Sequence, residues 1–347
     1  MNKPTKALAA AAALALSLAA CAGDATGDSG SAAPAGETEI LLPFPEGLPM
    51  APLTVAKEQG IFKKNGIDNL KVSVADGSGY VSQQLVAGNI NFALMGSADV
   101  AVAASKRDDV RVLFCHQAHN VYRIGALADS GITDLAGLAG KTLGFTEPGG
   151  GENALVKAAL ADGGLKESVT TLPIGGAGPQ SLSAIKDGKV QAYSSSYPDF
   201  VQLSAQGVKF VDITPAKYSS VPGTCMTTTQ EFLDTDAGKK QAQAVTQSWI
   251  DAEYYVLDNK EAAFDQVCKA VPSACENKDA ARALYEEAIA VMAPDEGNRP
   301  GDTTPEVWKT VVEILASSGT VPASLDLTKN VSGGDLQTIR DAVYEAH

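Results

Sequence analysis

Residues 90–115 read INFALMGSADVAVAASKRDDVRVLFC, and this stretch decides the fold. Ile90–Met95 is a short apolar run of strand length, and Gly96-Ser97 turns the chain. Asp99–Ser105 is a run of small residues suited to a helix, and Val110–Cys115 is a second apolar run. Two buried strands joined by a short helix make a parallel crossover unit. Working outward, the same alternation recurs. Glu39–Pro43 and Leu70–Ala75 read as strands, with helices over Met50–Gln59 and from Gly77-Ser78-Gly79 through Ala87. The pattern restarts with strands at Lys141–Phe145, Thr170–Ile174, Val190–Ser194 and Phe210–Ile213, and helices between them. The expectation is an α/β fold. After about Pro222 the chain turns mainly helical, over roughly 238–258, 260–270, 278–293, 305–317 and 334–346. Val245, Trp249 and Ala252 form the stripe of a core-facing helix. These late helices read as scaffold.

The chain has 347 residues, 27 Lys+Arg against 41 Asp+Glu, and a net charge of −14. An acidic balance argues against nucleic acid and against an anionic membrane surface as partner. Lys3 and Lys6 precede an apolar run, Ala7 to Ala20. Fourteen helical residues span about 21 Å, short of a bilayer core of roughly 30 Å. Residues 1–20 therefore read as a secretory signal. The run ends Leu18-Ala19-Ala20-Cys21, which resembles the bacterial lipobox, with Cys21 as lipidation site. Residues 21–37 carry no large apolar side chain and read as a lipidated flexible tether. Removing residues 1–20 takes away Lys3 and Lys6 and no acid, leaving −16. The expected location is the outer or periplasmic face of a cell membrane.

With Cys21 lipidated, four cysteines remain, an even number in an oxidising compartment. Four cysteines allow three pairings. Cys268 and Cys275 flank a Pro-containing turn and are paired here, which leaves Cys115 with Cys225.

The two α/β units have no linker-like break between them. The expected course is lobe 1 over 38–128, lobe 2 over 129–215 and the rest of lobe 1 over 216–347. The chain would thus cross near Asp129 and recross near Pro215, forming a hinge with a ligand cleft between lobes.

Four motifs now carry a resemblance. Ala51-Pro52-Leu53-Thr54-Val55-Ala56-Lys57-Glu58-Gln59-Gly60-Ile61-Phe62, continued by Asn65-Gly66-Ile67, resembles the opening of substrate-binding proteins of ABC importers for nitrate, sulfonates, taurine and pyrimidine precursors. Gln84–Ala93 is similar to a second family stretch, with Asn91 where Asp is usual. Asp134-Leu135-Ala136-Gly137 and Gly140–Gly144 resemble the start of its second lobe. Ala184–Ala192 resembles a fourth, with Gln191 in place of Asp. The resemblance covers about residues 39–230. It implies a type II periplasmic-binding fold with two lobes joined by two crossovers, and a helical tail on lobe 1. It also implies a monomeric, non-enzymatic binder without cofactor or metal. Its partners would be a small-molecule ligand, an ABC permease with its ATPase, and the membrane through the lipid.

Catalytic signatures are scarce. Gly140-Lys141-Thr142 is no phosphate loop, because Leu135 stands where that motif needs Gly and a strand follows. No G-x-S-x-G elbow occurs. Cys115-His116-x-x-His119 offers too few ligands for zinc, and His116 is assigned to the cleft edge.

Open α/β sheets bind ligands beyond strand C-terminal ends. The candidate contacts there are Phe44; Ser78, Gly79 and Tyr80; Gly96 and Ser97; Tyr122; Gly149, Gly150, Gly151, Glu152 and Asn153; and Ser194, Tyr197 and Asp199. Phe44, Tyr80, Tyr122 and Tyr197 offer stacking faces. The cleft loops and their neighbours hold Glu46, Asp76, Asp99, Glu147, Glu152 and Asp199 against Arg123 and Lys217. This balance leans towards a neutral or cationic heterocycle or amine, with a sulfonate- or nitrate-type anion as the alternative.

Overall fold

The computed structural model describes residues 36–75, 77–146, 148 and 152–347. Cys21, the tether up to Ala35, and Gly149–Gly151 lie outside the described residues. In chain order the strands are β1 (Thr38–Leu42), β2 (Leu70–Val74), β3 (Phe92–Gly96), β4 (Val110–Cys115), β5 (Tyr122–Leu127), β6 (Thr142–Phe145), β7 (Thr170–Pro173), β8 (Ala192–Ser196), β9 (Phe210–Asp212) and β10 (Thr224–Thr229). The helices of the α/β part are α1 (Ala51–Glu58), α2 (Ile61–Lys64), α3 (Ser78–Val86), α4 (Ser97–Lys106), α5 (Glu152–Asp162), α6 (Pro179–Lys186), α7 (Tyr197–Ala205) and α8 (Ala216–Ser219). The tail holds α9 (Gln230–Leu233), α10 (Asp236–Asp258), α11 (Lys260–Ala270), α12 (Lys278–Met292), α13 (Pro305–Ser317), α14 (Thr328–Ser332) and α15 (Gly334–Tyr344).

The strands form two five-stranded sheets, ordered β2-β1-β3-β10-β4 and β7-β6-β8-β5-β9. Within each, the strands linked by helices run parallel. The strands next to the crossovers run antiparallel: β10 to β3 and β4, and β5 to β8 and β9. The chain leaves the first sheet after Cys115 and returns at Thr224. The first crossing is therefore residues 116–121, ahead of the boundary expected at 128/129. Tyr122–Leu127 belongs to the second sheet, where it pairs with Ala192–Ser196. Arg123 and Gly125 interrupt its apolar pattern, so the ladder rather than local propensity makes it a strand.

The first sheet is covered on both faces, as parallel strands require. Strand alternation sends Ile40, Leu42, Phe92, Leu94 and Met226 to one side, under Leu53, Val245, Trp249 and Ile339 of α1, α10 and α15, and a register shift in the β4–β10 ladder puts Phe114 there too. Leu41, Ala93, Met95 and Val112 go to the other side, with Val81, Leu85 and Val100 of α3 and α4. Trp249 is fully buried, and each such side chain contributes roughly 2–3 kcal/mol. Thr235 caps α10 by accepting from Gly238 N–H at 2.9 Å.

The tail reaches further than expected. α10, α11 and α15 stay on the first lobe, but α12 also packs on α7 and α13 on α5, both of the second lobe. One apolar cluster accordingly runs from Met95 and Val100 through Trp308 and Leu315 to Leu155 and Ala158.

Both disulfides are present, Cys115–Cys225 and Cys268–Cys275. The first joins register partners on β4 and β10, at the roots of both crossovers. β4 is an edge strand, and such an edge needs cover. Arg340 on α15 donates to the carbonyls of Val112 (2.6 Å) and Leu113 (2.8 Å), and Asn330 to that of Val110 (2.8 Å).

Candidate functional site

Several strands end at loops that feed helix N-termini, where unpaired backbone N–H groups collect. On the first lobe, β2 runs through Gly77 into α3 and β3 runs directly into α4. Ser78 Oγ accepts from Gly96 N–H at 2.7 Å, so the two helix starts are bonded to each other. A Cβ on Gly96 would lie 3.3 Å from Asp99 Oδ2 and 3.5 Å from Ser78 Oγ. Only a glycine leaves that space easy. Ser97 donates its hydroxyl to Pro222 O at 2.6 Å and its N–H to Gly223 O at 2.8 Å. These bonds tie α4 to the second crossover.

The crossovers are themselves strapped together. Gln117 Oε1 accepts from Thr224 N–H (3.0 Å) and Oγ1 (2.8 Å), and Asn120 Nδ2 donates to Tyr218 O at 2.9 Å. A Cβ on Gly223 would meet Gln117 Oε1 and His119 O at 2.8 Å, so the two segments pass at glycine distance.

Asp99 stands in the first turn of α4. Burial pushes its carboxyl above the usual range, opposed by a hydrogen bond from Ser78. Tyr122, at the start of β5, is raised well above an ordinary phenol. Burial is the largest cause, followed by the negative charges of Asp99 and Glu152. Asp99 comes from one lobe and Glu152 from the other, so Tyr122 brings both within electrostatic reach. Glu152 is 3% exposed and accepts from Thr146 through N–H (3.0 Å) and hydroxyl. Its carboxylate thus ties the start of α5 to Thr146 at the end of β6.

Gly96, Ser97, Asp99, Tyr122, Leu155 and Leu315 face an interlobe cavity of about 30 Å³, room for about one water molecule. Among its described lining residues there is no Lys or Arg. Both cations that the sequence places near the cleft are paired away from it. Arg123 bonds Glu287 at 2.6 Å, and Lys217 bonds Asp162.

Of the expected contacts, Gly96, Ser97 and Tyr122 line this cavity, Ser78 supports Gly96, and Glu152 acts on Tyr122. Gly79 and Tyr80 lie in the first turn of α3, with Tyr80 52% exposed. Asn153 follows Glu152 in α5. Other expectations need correction. His116 is 1% exposed and lies beneath α10, with Nδ1 2.8 Å from Glu253 Oε1 and its ring edge-on to Trp249. It is a core residue of the first lobe, because the chain dives inward after Cys115. Phe44 leans on that same core. Ser194 Oγ is fully buried and donates to Arg123 O at 2.9 Å. Tyr197 is 1% exposed and packs with Val121, Ala288 and Val291. Asp199 accepts from Ala177 N–H (2.9 Å) and the Ser195 hydroxyl, which ties the first turn of α7 to the end of β8 and to the loop before α6. These groups are occupied by the fold.

Several lining residues were missing from the expected contacts, among them Asp99, Leu155 and three residues of α13. Asp99 belonged to a recognised loop, and its signal was a carboxylate two residues after a strand-ending Gly-Ser. Val311, Ile314 and Leu315 of α13 also line the cavity. Their signal was an apolar stripe, with Trp308 at its head, wide enough for two neighbours.

A second groove, of about 730 Å³, lies between the second lobe and α12, lined by Tyr197, Phe200, Phe210 and the Arg123–Glu287 pair. No helix among the described residues is long and apolar enough to cross a membrane.

The protein-family model described as "NMT1/THI5 like" matches residues 49–255. No curated protein matches the chain. Among solved structures, a protein from Bordetella bronchiseptica RB50 is 23% identical with a TM-score of 0.67, covering 88% of this chain and 98% of that one. The alkanesulfonate-binding protein SsuA from Xanthomonas axonopodis pv. citri, bound to MOPS, is 15% identical with a TM-score of 0.63, covering 87% and 99%. The periplasmic nitrate-binding protein NrtA from Synechocystis PCC 6803 is 18% identical with a TM-score of 0.61, covering 88% and 89%. At these identities the likeness is one of fold, the two-lobed periplasmic-binding-protein fold.

Proposed function

The chain belongs to the NMT1/THI5-like family, and we propose that it is an extracytoplasmic solute-binding protein that delivers its ligand to an ABC permease and its ATPase. In this reading residues 1–20 export it, and lipid on Cys21 holds it at the membrane. Two lobes on two crossovers supply the moving parts. Ligand shifts the population towards closure by binding the closed form better than the open one. The fold family and the site's inventory of hydroxyls, backbone N–H groups and carboxylates support binding without turnover.

The ligand we infer is a small neutral or cationic heterocycle or amine carrying N–H donors. Asp99 carries this inference. Its carboxylate is partly buried beside the Ser78 hydroxyl, at a cavity whose described lining holds no Lys or Arg. That cavity as described holds about one water, so in this reading the ligand is held with the lobes further apart. A partly buried carboxylate so placed is stabilised by an incoming N–H and repels an anion. The anion reading rests on the helix starts at Ser78 and Ser97 and on what SsuA and NrtA bind. It leaves Asp99 uncompensated.

Native mass spectrometry of chain purified without refolding tests this. A co-purified base or amine is expected. A bound sulfonate or nitrate would overturn the ligand assignment, and a covalently altered product would overturn the binding role.

A further inference from the structure

We propose that His116 and Glu253 form a pH-sensitive clasp, in which one proton on the Glu253 carboxyl locks the root of the first crossover to the helical turn Leu48–Met50. Loss of that proton releases the turn. The clasp is independent of which solute the chain binds.

The hydrogen positions follow from the partners. Pro49 O lies 3.2 Å from His116 Nε2. A carbonyl only accepts, so Nε2 carries a hydrogen. Trp249 Nε1 donates to His116 Nδ1 at 3.2 Å, so Nδ1 carries none. Glu253 Oε1 lies 2.8 Å from that same bare nitrogen. An ionised carboxylate there would set lone pair against lone pair, whereas a carboxylic acid donates. The shared hydrogen therefore belongs to Glu253. Its other oxygen, Oε2, is buried without a hydrogen-bond partner among the described residues. Ionisation would leave charge on that atom unpaired, and the neutral acid avoids most of that cost. Burial raises the Glu253 carboxyl, and His116 and Trp249 oppose it.

The cations on elements packed against α10 are engaged elsewhere or exposed. Lys57 of α1 bonds Glu46, and Arg340 of α15 bonds backbone carbonyls. Arg111 of β4 bonds Gln230 and the carbonyls of Asp108 and Val110. The charged residues of α2, α9 and α11 are exposed. Tyr344 of α15 and Tyr254 of α10 feel the Glu253 charge, and both are raised phenols that stay neutral.

When Glu253 ionises, its proton leaves to solvent. The imidazole hydrogen moves from Nε2 to Nδ1 by exchange with water and donates to the new carboxylate. Nε2 then turns its lone pair towards Pro49 O, and that bond is lost. The Trp249 N–H loses its acceptor on Nδ1. One proton is released per chain. His116 follows Cys115 at the start of the first crossover. The turn Leu48–Met50 leads into α1 and packs on α12, which also reaches α7 of the second lobe. The clasp thus joins the segment between the lobes to the loop after β1.

Infrared difference spectra of the intact chain at pH 6, wild type minus Glu253→Gln, test the proton. The carbonyl stretch of a protonated acid is expected, because an ordinary glutamate titrates at about 4.3. The band should fade as the pH is raised to 9. The chain has three histidines, so NMR of histidine-labelled chain, assigned with His119→Gln and His347→Gln, reads the His116 tautomer. Nε2–H is expected at pH 6 and Nδ1–H once the band has gone. Glu253→Gln keeps an N–H donor towards Nδ1 and should hold the Nε2–H tautomer throughout. Amide exchange at Met50 and Ala51 should rise more steeply with pH in the wild type than in Glu253→Gln. Absence of the acid band, or an imidazolium or Nδ1–H tautomer at pH 6, overturns the proton assignment. Equal exchange slopes overturn the clasp. The wild-type tautomer decides the assignment even where Glu253→Gln does not fold.

Discussion

Replacing both cysteines of either bridge by alanine should destabilise the chain by amounts that differ in a stated order. The Cys115–Cys225 bridge spans 110 residues and encloses β5 to β9, that is, the whole second sheet. Cys268–Cys275 spans 7 residues at the end of α11. Loop-closure entropy grows with the logarithm of the enclosed length, which gives about 4.8 kcal/mol for the long bridge and about 2.4 kcal/mol for the short one. Cys115 and Cys225 are also 1% and 0% exposed, so truncation there removes packed atoms as well. Urea unfolding followed by tryptophan fluorescence measures both losses. Trp249 and Trp308 are fully buried, in the first-lobe core and at the interlobe helix α13. The expected outcome is a loss for Cys115→Ala/Cys225→Ala about twice that for Cys268→Ala/Cys275→Ala. Equal losses, or a larger loss for the short bridge, would refute the view that the long bridge constrains the unfolded chain around the second lobe.

Arg340→Met should cost about 3 kcal/mol, because it leaves the buried carbonyls of Val112, Leu113 and Val331 without their donor. Arg340→Lys should recover little, since a point donor does not span three carbonyls; a loss under about 1 kcal/mol in denaturant titration contradicts this role. Burial holds the Glu253 carboxyl above its usual range against the opposing effect of His116. A folded-state value above the unfolded one contributes stability below the ordinary carboxylate range, and that contribution is lost as pH rises through the folded value. Glu253→Gln should therefore match or exceed the wild-type melting temperature at pH 7.5, with its relative advantage shrinking towards pH 4.5. A variant that melts lower at pH 7.5 and recovers towards the wild type on acidification contradicts this.

Much of the architecture is visible in local pattern. Strands such as Phe92–Gly96 and Val110–Cys115 are near-continuous apolar runs bounded by turn residues, and buried parallel strands read that way. The long tail helices show a 3.6-residue period, so α10, α11 and α13 fall close to their expected spans. The strands adjoining the crossovers are harder. Tyr122–Leu127 contains Arg123 and Gly125, and four of the six residues of Thr224–Thr229 are Thr, so neither shows alternation. Their place and antiparallel sense come from ladders with residues up to about 130 positions away. The site divides in the same way. Glycine and serine at strand ends mark the helix starts that meet at the cavity. The fate of His116 depends on Glu253 and Trp249, 137 and 133 residues on. A glutamate four residues after a core tryptophan is a signal for such a buried partner. Residues 194–199 read as a loop, but Ser194 lies in β8 and Asp199 in the first turn of α7, and only tertiary structure shows their bonds to Arg123 and Ala177.

The central claim is that Asp99 holds the N–H side of a bound solute, and calorimetric titration with 4-aminopyrimidine against pH tests it most directly. Burial raises the Asp99 carboxyl, so affinity should fall as pH drops through a value above the ordinary aspartate range of about 3.9. The ring's own protonation is corrected from its free titration. Asp99→Asn should weaken binding about tenfold or more, as expected for loss of a charge-assisted hydrogen bond, and should flatten the corrected pH profile. Binding by Asp99→Asn with wild-type affinity and wild-type pH dependence would contradict the account.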